Sequence, residues 1–307
     1  MANGILKDEA TYFNDSETYT GDSGSETNKW VIEDVYDFVE GTLTLSGDSQ
    51  LRLVNDIDFR EHPIYKTGFY NSQVVFNFPN GLLDGDEHTI KNVVLNNYES
   101  SDVFMPIKIL KNTNFVNLIM NNCTKNTVIG SSTTGAQMLN CNFGIYASNC
   151  SGNALPLYAS GIEDCCFNIK GTLTTSINVK AMKRTHINLD ELIISGSKVF
   201  YNAVAETATN CYFTGKLKNL TALTTNNSIS SIRFSNSYIA IEYDGNSDYS
   251  GYYISGTGFI DKELWCKNGF TGLNENPGTG KVVPVTTAQA QDADYLNSIG
   301  FAVVPVS

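Results

Sequence analysis

The chain has 307 residues and a net charge of −12, long enough for one large domain or two ordinary ones and of the wrong sign for nucleic acid or an anionic membrane as partner. Only 17% of its residues are charged, and Asn, Ser, Thr and Gly fill the gap, which suits turn-rich all-β structure and argues against a mainly helical protein. No apolar run reaches the roughly 18 residues of a membrane span, and the start, MANGILKDEATYFNDSE, lacks the basic and apolar parts of a secretory signal.

Residues 1–29 are polar and acidic and read as a flexible or partner-ordered arm. Next, WVIEDVYDFVEG places Ile32, Val35 and Val39 on one helical face with Gly41 as the stop, so residues 30–48 are expected to form an N-terminal cap with a short helix. Short alternating runs follow, TLTLSG and LRLVNDIDF. The segment GLLDGDEHTIKNVVLNN, Gly81 to Asn97, then holds Asp84, Asp86, Glu87 and His88 within five residues. Four such groups are a candidate cation or acid/base site. The preferred reading is a tight turn at Asp84-Gly85 leading into a strand, with His88 packed or hydrogen-bonded at the corner.

From about residue 75 the sequence repeats. NVVLNN (Asn92 to Asn97) returns as NLIMNN (Asn117 to Asn122), and NTNFVN at Asn112 is echoed by LNCNFG, EDCCFN, RTHINL, TNCYFT and FSNSYI. The aligned aromatic or aliphatic positions are Phe115, Phe143, Phe167, Ile187, Phe213 and Tyr238, spaced by 28, 24, 20, 26 and 25 residues. A period near 25 made of short alternating runs and polar corners, with no room for a helix, means stacked coils. The expected fold class is all-β, a parallel β-helix (solenoid) over residues 49–256. Equal positions stack, so Cys141, Cys165 and Cys211 are read as an inward column of reduced thiols beside Phe143, Phe167 and Phe213. Asn140, Asp164 and Asn210 precede them as a corner ladder. The seven cysteines have no CxxC spacing and no paired histidines, so neither a metal site nor a disulfide framework is expected.

KAMKRTHINLDE, Lys180 to Glu191, is the charge-dense stretch of the repeats. Lys183, Arg184, Asp190 and Glu191, with Glu163 and Asp164 one coil earlier, are the catalytic candidates if the chain is an enzyme. Asp190 and Glu191 are adjacent and would point to opposite faces of a strand, so a solvated face is the preferred reading. YIAIEYDGNSDYSGYYISG supplies a binding candidate, Tyr243, Asp244, Asn246, Asp248, Tyr249, Tyr252 and Tyr253, for sugars or a partner protein. Packing of the last coil by those tyrosines is the equal alternative. The alternating acids resemble a calcium loop but have Tyr249 and Ser255 where its glycine and glutamate belong, so no metal and no cofactor are expected. Residues 257–307 read as a C-terminal β-α-β cap or docking segment. Thr286 or Thr287 caps its helix, Gly300 ends it, and edge strands surround Pro284 and Pro305.

LRLVNDIDF, HPI at His62, and GLLDGDEHTIKNVVLNN together resemble the opening of right-handed parallel β-helix proteins of the pectin-lyase-like type. Those carry a Gly-x-Leu-Asp-Gly-x-Gly-His-x-Ile turn-strand. Gly81, Leu83, Asp84, Gly85, His88 and Ile90 match; Glu87 stands where the family has glycine. The resemblance covers residues 30–97 well and the repeats to about 250 loosely. It implies a right-handed β-helix and speaks weakly about function, since such helices serve sugar-cleaving enzymes, surface adhesins and bacteriophage tail or capsid appendages. With no signal and a polar arm, the chain looks most like the phage group. The expectation is a non-enzymatic structural or receptor-binding protein of a virion (tail, neck or head), made in the host cytoplasm. It would be a rigid rod contacting other virion proteins or a host surface glycan, with a homotrimer as the oligomer that the resemblance implies. A polysaccharide depolymerase and a bacterial adhesin are the alternatives.

Overall fold

A computed structural model describes residues 6–14, 25–70, 76–98, 104–124, 129–130, 136–175, 177–179, 181–195, 200–201, 207–219, 233–244, 256–261, 282–290 and 292–298. The chain is a parallel β-solenoid with little helix, and it divides into two compact units. The first comprises Met1–Tyr146 with Ala154–Gly161, and the second Ala147–Asn153 with Ile162–Ser307.

In the first unit, strands Trp30–Ile32, Gln50–Leu53, Phe78–Asp84, Ile107–Lys111 and Gln137–Leu139 stack in parallel, each paired with the next. A second ladder runs from Ile57–Asp58 through Thr89–Lys91 to the start of Asn114–Asn121, and a third from Phe69–Tyr70 through Val94–Asn96 to the end of that strand. Alternate side chains turn inward, so Leu51, Leu53, Leu83, Ile90, Leu95, Leu110, Phe115 and Met120 are all buried. Phe115 stacks on Phe143 with ring centroids 4.9 Å apart and planes 8° from parallel. In the second unit, Cys166–Leu173, His186–Ile194, Tyr212–Asn219 and the latter part of Arg233–Asp244 form the main parallel ladder. Phe167, Ile187, Phe213 and Ile239 are its inward column.

That column corrects the last repeat alignment. Tyr238 pairs with Tyr212, and Ile239 pairs with Phe213. Strand side chains alternate, so a one-residue offset moves a residue to the other face, and the buried place goes to Ile239.

The expected first helix is shorter than its pattern. Trp30–Ile32 is a strand, because its backbone groups pair with Leu51–Leu53, and the helix is confined to Val35–Val39. The Asp34 carboxylate starts it by accepting from the backbone N–H of Tyr36 and Asp37. Gly41 does not stop it cleanly but opens a 3-10 turn, Gly41–Thr44. Phe38 of this helix packs on Phe59 and Phe76, with centroids 5.6 Å and 4.7 Å away, over the first coils. Before it, Lys7–Asp8 adds an antiparallel edge to Trp30–Val31, and Glu9 binds Arg52 at 3.0 Å. Near the C-terminus, Val282–Val285 pairs in parallel with Gly256–Asp261. The Thr286 hydroxyl accepts from Gln289 N–H while the Gln289 side chain accepts from Thr286 N–H, a reciprocal cap for helix Thr287–Ala290. Gly300 and Pro305 lie outside the described residues.

Candidate functional site

The corners of the coils position the polar side chains. Asn112 (φ +49°), Asn140 (+52°), Asp164 (+56°), Arg184 (+47°) and Asn210 (+52°) all take the left-handed conformation at one recurring position. Asn and Asp tolerate it because their short polar chains bond locally. The next residue is always small and buried, and it donates to the carbonyl two residues before it. Thr113 reaches Lys111 O at 2.8 Å, and Thr185 reaches Lys183 O at 3.1 Å; the thiols of Cys141, Cys165 and Cys211 do the same at 3.3 Å, and the Ser237 hydroxyl reaches Ser235 O at 3.1 Å. The cysteine positions are therefore places for small hydrogen-bond donors that give a second bond to a corner carbonyl already accepting a backbone N–H, as Leu139 O does from Asn112 and Thr209 O from Arg184. The sequence reading missed Thr113, Thr185 and Ser237; the signal was their place directly after each corner residue. Burial pushes the Cys211 thiol up to about 12, so it is protonated and inert at neutral pH.

Outside this column the corner side chains form ladders. In the first unit Asn140 donates to Asn112 at 3.0 Å, and Asn112 to Asp84 at 3.0 Å. Two residues on, Asn142 donates to Asn114 at 2.7 Å, and Asn114 to the Glu87 carbonyl at 2.9 Å. Coil Gly81–Asn97 turns this corner with two more residues than its neighbour. Asp84 pairs with Lys111 on one side of the turn and Thr89 with Asn114 on the other, leaving four residues opposite two. Asp86 (φ +46°) and Glu87 (φ +69°) make the turn, closed by His88 N–H donating to Gly85 O at 2.8 Å. Gly85 has to be glycine, since a Cβ there would lie 2.4 Å from Asn112 O. Glu87 occupies a backbone conformation that glycine adopts freely, which explains the glycine of the resembling sequences.

The surplus residues raise a rim beside the ladders. Glu87, Asn112, Asn114, Asn140 and Asn142 line an open cleft of about 280 Å³. The Glu87 carboxylate is exposed and makes no hydrogen bond or ion pair among the described residues. The other members of the Asp84–His88 cluster face elsewhere. Asp84 binds Lys111 at 2.9 Å, Asp86 binds Arg52 at 2.7 Å, and His88 Nδ1 lies 3.6 Å from Asp56. The cluster is thus dispersed over separate partners, and no group of three metal-binding side chains occurs among the described residues.

The candidate catalytic residues are ion-paired across coils. Arg184 holds both Glu163 and Asp164, the latter at 2.7 Å, and Lys183 lies 3.2 Å from Glu163. The Arg184 guanidinium holds the Asp164 carboxyl below its usual range, and Lys183 with Arg184 does so for Glu163. A general acid needs the opposite shift. Asp190 and Glu191 do not point to opposite faces. Glu191 sits at φ +51° in a bulge, which turns both carboxylates to the surface, where Asp190 meets Lys170 at 3.2 Å and Glu191 meets Lys218 at 3.5 Å. Tyr243 and Asp244 end a strand opposite Leu217 and Lys218. Asn246, Asp248, Tyr249, Tyr252 and Tyr253 lie outside the described residues.

Stacked coils, left-handed corners and side-chain ladders define a parallel β-solenoid. No family model matches the chain, and no curated protein does. A solved structure from Bacteroides ovatus, described as "a putative immunoglobulin A1 protease", has a TM-score of 0.47 and 14% identity over 90% of this chain and 89% of that one. That degree of likeness carries no functional argument.

Proposed function

We propose that the chain is a non-catalytic binding scaffold whose amide cleft beside Glu87 takes a neutral polyhydroxyl ligand, such as a surface glycan. One observation carries the reading: an unpaired carboxylate overlooks two columns of asparagine amides, while the carboxylates suited to hydrolysis are tied to cations. Amides donate and accept, and a carboxylate accepts from hydroxyl pairs, so the lining suits sugars better than ions or apolar ligands. The finer placement, on a bacteriophage particle as tail, neck or head appendage, rests on the sequence resemblance alone.

Titration calorimetry against a panel of neutral and acidic oligosaccharides tests the cleft. Binding should fall at least about tenfold in Glu87→Gln and Asn142→Ala. Affinity unchanged in both variants, or no binding across the panel, would sink this reading. Release of reducing ends or unsaturated uronates from capsule would instead favour the depolymerase. Absence of the chain from purified virions would remove the phage placement while leaving the cleft intact.

A further inference from the structure

Of the six described cysteines, five are buried and Cys166 is half-exposed. The buried five each donate to the carbonyl two residues back. Cys166 instead lies on the outward face of strand Cys166–Leu173, in register with His186 and, one coil further, Tyr212. Its Sγ is 3.9 Å from His186 Nδ1. The other imidazole nitrogen, Nε2, is 2.7 Å from the Thr214 hydroxyl.

The network beyond Thr214 assigns the proton on that ring. Asn188 donates its amide to Asn168 Oδ1 at 3.0 Å, which leaves Asn188 Oδ1 to accept from the Thr214 hydroxyl at 3.1 Å. With its hydrogen committed, Thr214 Oγ1 has only lone pairs for His186, so Nε2 carries the hydrogen. In the neutral ring Nδ1 is then the bare base, and it faces the thiol. A nucleophile, a base turned towards it and a third group orienting that base are the elements of assisted thiol attack, and such contacts are commonly long before the reactant arrives. Burial raises the Cys166 thiol and lowers His186, so the resting pair is neutral and no thiolate stands ready.

We infer that Cys166 is a modification site: a nucleophilic thiol, base-assisted by His186, for small disulfides and related soft electrophiles. As Cys166 Sγ bonds to one sulfur of the disulfide, its proton passes to His186 Nδ1 and the disulfide bond breaks. The leaving thiolate then takes that proton, giving one mixed disulfide and one free thiol with no external oxidant. The site is in the second unit and is independent of the Glu87 cleft.

The probe is 5,5′-dithiobis(2-nitrobenzoate), applied to the folded full chain carrying Cys266→Ser, which removes the seventh cysteine, outside the described residues, with peptide mapping of the adduct. One thiol per chain should react in a fast phase, and Cys166→Ser should abolish it. His186→Gln should slow it about tenfold or more, and Thr214→Val by a smaller factor, because the ring loses its fixed tautomer. If His186→Gln unfolds the chain, several thiols will react at once, and Thr214→Val with mapping then decides. A fast phase that is absent, that survives Cys166→Ser, or whose rate is the same in the folded base and tautomer variants overturns the inference.

Discussion

The same corner is built in two chemistries. In the first unit it carries neutral amides, Asn112 and Asn140, bonded down to Asp84. In the second, two successive coils carry an ion pair there, Asp164 with Arg184, before an amide returns at Asn210. Backbone conformation is the same in both, φ between +47° and +56°, and so is the buried donor that follows. The difference teaches that the bend and its inner hydrogen bond are the structural requirement. The outer side chain is free to vary, and that freedom lets one corner become a cleft and the other a patch of exposed charge pairs.

The comparison can be broken from the inside first. Phe115→Ala and Phe167→Ala remove equivalent buried rings from the two chemistries, and each should cost about 3–5 kcal/mol by denaturant unfolding. A large inequality between them would show that the outer ladders govern stability after all. Gly171→Ala should cost about 3 kcal/mol or more, since φ is +112° and a Cβ would meet Ala147 O at 1.9 Å.

Thr113→Val and Thr185→Val keep shape and lose only the second bond to a carbonyl that retains its backbone donor, so each should cost about 0.5–1.5 kcal/mol in either unit. Cys211→Ser keeps a donor, of the type found at Ser237, and should cost less, a ranking that thermal melts can read.

Acid distinguishes the corners more finely. Burial works against the Asp84 carboxylate, but Lys111 and Asn112 together hold it below its usual range. A depressed carboxyl contributes stability above its unfolded value, about 4, and that contribution is lost as pH falls through the folded value. Asp84→Asn should therefore flatten the acid limb of a pH–stability curve. The smallest effect is expected at the exposed ionic corner, where Arg184→Asn should leave the melting temperature almost unchanged and remove its salt dependence. Glu87→Gly sharpens the contrast from the other side: stability held or raised by up to about 1 kcal/mol, because glycine relieves the positive φ, together with weaker ligand binding.

Much of the solenoid was legible in the chain. Asn92 and Asn117, 25 residues apart, do bond to one another, at 3.1 Å, and the phenylalanine and cysteine positions recur because stacked coils impose one environment on equal positions. The cap was readable as Thr286 or Thr287, and the reciprocal bonds with Gln289 assign it to Thr286. The Glu87 cleft was legible only in part. The departure from glycine marked the residue, but the partners Asn112, Asn114, Asn140 and Asn142 looked like ordinary corner asparagines.

What the sequence by itself determined is the period, the inward phenylalanine and cysteine positions and the polar corners, because these follow from local conformational preference and from burial repeated coil after coil. Only the tertiary structure decided the register. It placed Ile239 rather than Tyr238 inside, let the two surplus residues before His88 rise as a rim, and brought Cys166 opposite His186, 20 residues away. The reason is physical: coil lengths vary here from 20 to 28 residues, and a single residue of slip reverses every side chain on a strand. Contacts between coils are therefore set by where each loop inserts or omits a residue, a matter that pairing along the stack resolves and local pattern does not.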